Sequence, residues 1–179
     1  MNYVYNKNLA NCTPSKIREF NSLASKLNAK FKLTLGEPDF DTPIEIKDAL
    51  IEAVNQNHTR YAPTVGNKNL REEICKFEKR VNKVSYEPDE VLITTGSTEA
   101  LTAALFTLLN QDDEVIVPIP CYALYEPVIS YCGAKMIPLD TRPDFQISKG
   151  HLEALINNKT KAILLTSPNN PTGTIYDDK

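Results

Sequence analysis

The apolar positions of this chain change their spacing near residue 90. Before that point they recur at helical intervals; after it, short aliphatic runs alternate with helical stretches. Lys16–Leu27 reads as a short helix in an N-terminal arm. Phe31–Leu35 (FKLTL) is a short extended run. It leads into GEPDFDTP, whose glycine, prolines and aspartates exclude a helix and favour a shaped loop. Pro43 suits the first position of a helix, where its missing N–H is not needed. Ile46, Ala49, Leu50, Ala53 and Val54 follow on one helical face, and RYAPTVGN breaks it. A second helix puts Leu70, Ile74, Phe77 and Val81 on one side. The charges REE at 71–73 and KR at 79–80 form its solvated face, and EPDE makes a turn.

From residue 91 the pattern predicts strands at Val91–Thr95, Val115–Pro118, Lys135–Leu139 and Lys161–Thr166. Between them lie a helix over Ser97–Asn110, broken helical turns over Tyr122–Tyr131 around Pro127, and a helix over Gly150–Asn157. In the first of these, Leu101, Ala104, Leu105, Leu108 and Leu109 face inward. Strands that alternate with helices define an α/β class with a mainly parallel sheet flanked by helices.

Composition narrows the chemistry. A chain of 179 residues suffices for one domain and a small appendage. With 41% hydrophobic and 24% charged residues, it has the composition of a folded globular protein. A net charge of −3 with scattered basic residues argues against a nucleic-acid partner. Apolar runs such as Ala162–Leu165 are too short to cross a membrane, and the N-terminus lacks the apolar core of a secretory signal. The four cysteines, Cys12, Cys75, Cys121 and Cys132, show no CxxC spacing, which fits reduced thiols in a cytoplasmic protein and no metal site. His58 falls at a helix end and His151 at a helix start, and neither has a nucleophile at useful spacing.

Ligands of open α/β sheets bind beyond the carboxyl ends of the strands. Three loops leave strands in that direction: TTGSTEAL, PIPCYALYEP and TSPNNPTG. In the first, Gly96 turns the chain and Ser97-Thr98 open a helix, whose N–H groups and dipole suit an anion. No GxGxxG and no GK[ST] is present, so a phosphate on a small cofactor fits better than a nucleotide. Taken alone, the loop reads equally well as a plain capped helix. Tyr122 in the second loop is placed either to stack on a flat ligand or to pack. In the third, Asn169 and Asn170 offer amides, and Pro171 is a candidate for a cis peptide.

Read in order, IREFNSLASKL, LGEPDFDTP, RYAPTVGNKNLREEI, VLITTGSTEALTAAL, DDEVIVPIPCYALYEPVI, the GAK strand and SPNNPTG resemble the fold-type-I, pyridoxal-phosphate-dependent aminotransferases of class I/II. The aspartate aminotransferase-like branch is the nearest in pattern. The resemblance implies a role for each matching position. Gly36 meets the substrate α-carboxylate through its backbone N–H. Tyr61 reaches the cofactor phosphate of the partner subunit in a homodimer. Gly96, Ser97 and Thr98 form the phosphate cup, Tyr122 stacks on the pyridine ring, and Asn170 bonds the ring's 3′-oxygen beside the substrate. It also implies that 1–42 is an arm and substrate loop, and that 43–179 is the N-terminal part of the large cofactor-binding domain. Amino acids and 2-oxo acids are the implied substrates.

The Asp-x-x-Tyr strand, the Ser-x-x-Lys segment with the Schiff-base lysine, and the anion-binding arginines follow the NPTG loop in that family, and none is present here. The chain therefore reads as the N-terminal half of such an enzyme. Alone it is expected to be inactive, to hold pyridoxal 5′-phosphate weakly or not at all, and to expose open strand edges that favour self-association. A lyase of the same fold and a non-catalytic fragment are the competing readings, with an unrelated α/β binding domain behind them.

Overall fold

The computed structural model describes residues 6–9, 16–27, 31, 33–34 and 36–177. By contact density the chain divides into one unit of Met1–Lys16 with Gly96–Lys179 and another of Ile17–Thr95.

The second unit is helical. It holds α1 (Lys16–Lys26, whose first residue belongs to the other unit), α2 (Ile44–Asn55) and α3 (Lys68–Val81). Pro43 is the cap of α2 rather than its first residue. The apolar face of α2 forms as the spacing predicts but is left uncovered, with Leu50 66% exposed. Asn67 caps α3, its side-chain oxygen accepting from the Asn69 and Leu70 N–H groups at 2.8 and 3.3 Å. This satisfies two of the donors that a helix start leaves without intrahelical partners.

Two expectations fail in this unit. Arg71, read as part of a solvated face, is buried at 8% exposure. Its Nη1 donates to the Pro88 carbonyl at 2.5 Å, tying α3 to the single 3-10 turn Pro88–Glu90. Val91–Thr95 is not a strand of any ladder, and Thr95 already lies in a bend. The Ile93 N–H donates to the Val65 carbonyl at 3.1 Å, a bond to a loop rather than to a neighbouring strand. An apolar β-type run becomes a strand only where another strand lies alongside it. FKLTL falls partly outside the described residues, and its residues 31, 33 and 34 form no ladder.

The first unit contains the sheet. β1 (Glu114–Ile119) pairs in parallel with β2 (Lys135–Asp140) on one side and β3 (Thr160–Ile163) on the other. Central β1 is the buried strand, with Val115, Ile116 and Val117 at 0–1% exposure. The expected run to Thr166 stops as a ladder at Ile163, although the Leu164 N–H still donates to the Ile116 carbonyl at 3.0 Å. Ile163 and Leu165 are exposed, so β3 is not covered on both faces as its sequence suggests.

α4 (Ser97–Leu108) and α5 (Tyr125–Tyr131) pack on the sheet. Leu105, Leu109, Val115, Val117, Val128, Ile129 and Ala134 form one cluster, joined at its margin by Leu101, Cys121 and Tyr125. Ala104 and Leu108 face outward instead. α5 begins three residues later than Tyr122, with Pro127 in its first turn, where the ring costs no intrahelical bond. α6 (Lys149–Leu155) is capped by Ser148 and runs beside β2.

Candidate active site

Gly96, Ser97 and Thr98 open α4, Tyr122 follows β1 and Asn170 follows β3, all within the unit that holds the parallel sheet. The tight turn Asn110–Asp113 joins α4 to β1, with the Asn110 N–H donating to Asp113 Oδ2 at 2.8 Å. Leu105 and Leu109 at the far end of α4 share one cluster with Val115 and Val117 of β1.

Gly96 caps α4 at φ 85°, ψ 168°, in a region that L side chains rarely adopt. A Cβ placed there would meet nothing within 4 Å. The first-turn N–H groups have no carbonyl one turn earlier within the helix. Ser97 and Thr98 are exposed beside them. Room, donors and positive dipole end together fit a phosphate group.

Tyr122 follows β1 and is 37% exposed. Its ring meets that of Tyr125 edge to face, with centroids 5.7 Å apart and planes at 81°. The Tyr125 hydroxyl shares a 2.5 Å hydrogen bond with Thr166 Oγ1 just beyond β3. One side of the Tyr122 ring system is thus anchored to the next strand, while Tyr122 keeps accessible surface. Burial, with the nearby Glu126 charge second, pushes the neighbouring Cys121 thiol up from its ordinary pKa.

Asn170 is exposed in the loop after β3, and its bond to Pro171 is cis, as is that from Ser167 to Pro168. Asn169 is the buried member of the pair at 8% exposure. Its Nδ2 donates to the Pro120 carbonyl at 3.0 Å and to Thr172 Oγ1 at 2.9 Å. Residue type and spacing do not single out Tyr125 or Thr166, and they give Asn169 only as one of two amides in its loop. The paired asparagines were the available signal, but spacing does not say which one turns inward.

Gly36 and Tyr61 belong to the other unit, and both are exposed there. His58 lies beyond α2, its N–H donating to the Ala53 carbonyl at 3.0 Å, and His151 is exposed in the first turn of α6. Cys75, Cys121 and Cys132 are free thiols; Cys12 lies outside the described residues. Among the described residues, no helix is long and apolar enough to cross a membrane.

A parallel sheet with this loop set defines a fold-type-I α/β scaffold. The profile of the family "Aminotransferase class I and II" matches residues 28–179, and the chain belongs to that family. It is 38% identical over 176 residues to the aspartate aminotransferase of Geobacillus stearothermophilus, covering 95% of this chain and 45% of that protein. It is 34% identical to aromatic-amino-acid aminotransferase 2 of Thermococcus litoralis, covering 93% of this chain and 43% of that protein. Among solved structures, the aspartate aminotransferase of Thermus thermophilus with maleate superposes with a TM-score of 0.92 at 33% identity. That match covers 98% of this chain and 48% of the other. The chain spans less than half the length of these curated relatives.

Proposed function

We propose that these residues serve an aminotransferase that moves an amino group between an amino acid and a 2-oxo acid with pyridoxal 5′-phosphate. The observation that carries the reading is the Gly96-capped start of α4, with Ser97 and Thr98 exposed beside it, in the unit that also holds Tyr122 and Asn170. When bound, the cofactor supplies the carbonyl that takes up nitrogen and the electron sink for breaking bonds at the substrate α-carbon.

In this reading Gly96, Ser97 and Thr98 hold the phosphate through backbone N–H groups and hydroxyls. Tyr122 covers one ring face and excludes water from it. The Asn170 amide donates toward the ring oxygen and favours its ionised form. Gly36 offers its N–H to the substrate α-carboxylate, and Tyr61, which is fully exposed, serves the phosphate of a partner subunit in a homodimer. Residues 1–42 act as arm and substrate loop, and 43–179 as the first part of the cofactor domain. The free thiols fit a cytoplasmic protein. A lyase of the same fold ranks second, because the relatives described above are named as aminotransferases. The two named substrate preferences differ, so the amino acid is left open.

The test begins with the mass of the protein in its own cells, set against 20.1 kDa. A mass about twice that is expected from the 45% coverage of the Geobacillus relative. The purified protein is then mixed with pyridoxal 5′-phosphate and assayed against a panel of amino acids and 2-oxo acids. Cofactor retention with amino transfer supports the proposal. Elimination products without transfer favour the lyase, and no retention at all overturns both.

A further inference from the structure

The loops after β1 and β3 are joined through a side chain to which the resemblance gives no role. Both Nδ2 protons of Asn169 are directed at acceptors, the Pro120 carbonyl and Thr172 Oγ1. Its backbone is also engaged. The Asn169 N–H donates to the Thr174 carbonyl at 2.8 Å, and its carbonyl accepts from the Gly173 N–H at 2.7 Å. Pro120 lies two residues before Tyr122, and Asn169 lies one residue before Asn170.

We propose that Asn169 is a positioning residue that locks the Tyr122 loop to the Asn170 loop, presenting both side chains to the cofactor ring as one preorganised unit. This rests on the pyridoxal-phosphate reading above. Tyr122 and Asn170 are both exposed and sit on separate loops, so neither is fixed by deep burial. A ring held between a stacked face and an edge donor needs the two loops at a constant separation. Burying an amide is costly unless its hydrogen bonds are made. An apolar residue would fill the same space more cheaply if packing were its only task. The Tyr125–Thr166 bond links the same two loops on the other side of Tyr122, which makes the Asn169 tie the second point of a two-point clamp.

Hydrogen exchange on the 179-residue chain tests the tie without any cofactor. Peptides covering 119–125 and 167–175 report the two loops, and 135–140 in β2 is the reference. Asn169→Leu keeps the branched shape at a larger volume and removes both donors. Amides in both loops should then exchange on the order of tenfold faster, the loss of about one buried hydrogen bond, with the reference unchanged. Asn169→His, whose ring N–H can again donate to Pro120, should restore 119–125. Faster exchange confined to 167–175 overturns the proposal. If Asn169→Leu also loosens the reference, the near-isosteric Asn169→Asp replaces it. Loosening of every peptide in the same ratio by both variants also overturns the proposal, because Asn169 is then a general stability residue. In the protein from its own cells, Asn169→Leu should weaken retention of pyridoxal 5′-phosphate about tenfold, and His should recover it. Unchanged retention with loosened loops defeats the positioning role. A tie that holds in a protein that never retains the cofactor defeats the proposed function and leaves the tie standing.

Discussion

The hydroxyls of Tyr125 and Thr166 meet at 2.5 Å across 41 residues of chain, joining the start of α5 to the end of the β3 segment. Because Tyr125 also holds Tyr122 edge to face, the two functions of its side chain are separable by substitution. Tyr125→Phe should cost about 1 kcal/mol, the net worth of one part-buried hydrogen bond. Tyr125→Leu should cost about 1 kcal/mol more, because it also forfeits the aromatic contact. Urea denaturation of the two variants beside the parent chain would measure both steps. Equal midpoints for Phe and Leu would deny the ring contact any energetic role.

Gly66 is where the loop carrying Tyr61 lies against Ile93 of the segment 91–95. Its φ is 95°, and a Cβ there would stand 2.3 Å from Ile93 Cγ1 and 2.4 Å from Ile93 Cβ. Gly66→Ala should therefore destabilise the helical unit by roughly 1–3 kcal/mol. Ile93→Ala should not rescue it, because the Cβ collision remains. Gly36→Ala meets nothing within 4 Å and should be near neutral in stability. Proteolysis in the loop 61–66, followed at increasing urea, would distinguish the three variants.

The sequence marks the elements that carry their own local signals. Pro43 sits at a helix start, and the Val115–Pro118 run becomes the buried central strand. Signals that depend on distant chain were not legible. Val91–Thr95 has strand composition, yet it forms no ladder, because pairing is decided by what lies beside it. Leu50 and Leu108 have core periodicity but remain more than half exposed. Periodicity identifies a face, not its covering. Arg71 has the reverse problem. Its charge suggests solvent, while the Pro88 carbonyl 17 residues away draws it inward. At the site, residue type marked the loops and their accessible members, whereas Asn169 and Thr166 work through partners too far along the chain to be inferred from spacing.

Asp140 and Arg142 form a surface pair at the end of β2, with Arg142 Nη2 donating to Asp140 Oδ2 at 2.5 Å. Side-chain and then backbone hydrogen bonds from Arg142 hold the Asp140 pKa down at about 2, against an ordinary 3.8. A depressed carboxylate contributes stability that is fully present above the unfolded-state value and is lost as pH falls from there through the folded value. The contribution of this pair should thus fade between about pH 4 and pH 2, and salt should weaken it because both groups face water. Following the Asp140 carboxyl by NMR should give a midpoint near 2. Arg142→Gln should return that midpoint to the ordinary carboxylate range.

Arg71 should be intolerant of truncation. Its guanidinium is buried, and Nε has no hydrogen-bond partner among the described residues, so the group is held mainly through Nη1. Arg71→Ala should cost roughly 1–3 kcal/mol, because the Pro88 carbonyl loses its donor and the aliphatic stem leaves a void. Arg71→Met refills the stem volume and should recover part of that loss. Thermal unfolding of both variants would separate the packing share from the hydrogen-bond share.

The bond from Asn169 to Pro120 closes a loop of 49 residues. Everything between its ends, including β2 and α6, must be in register before the two sides can meet. Contacts of such long range make folding slower, because the entropy of closing the loop is paid before the contact is gained. The floor of the site is therefore expected to form late. As the chain is synthesised, α4 and β1 can associate while the ring-binding loops still lack their final geometry. Competence to take up a cofactor would then report completion of the sheet.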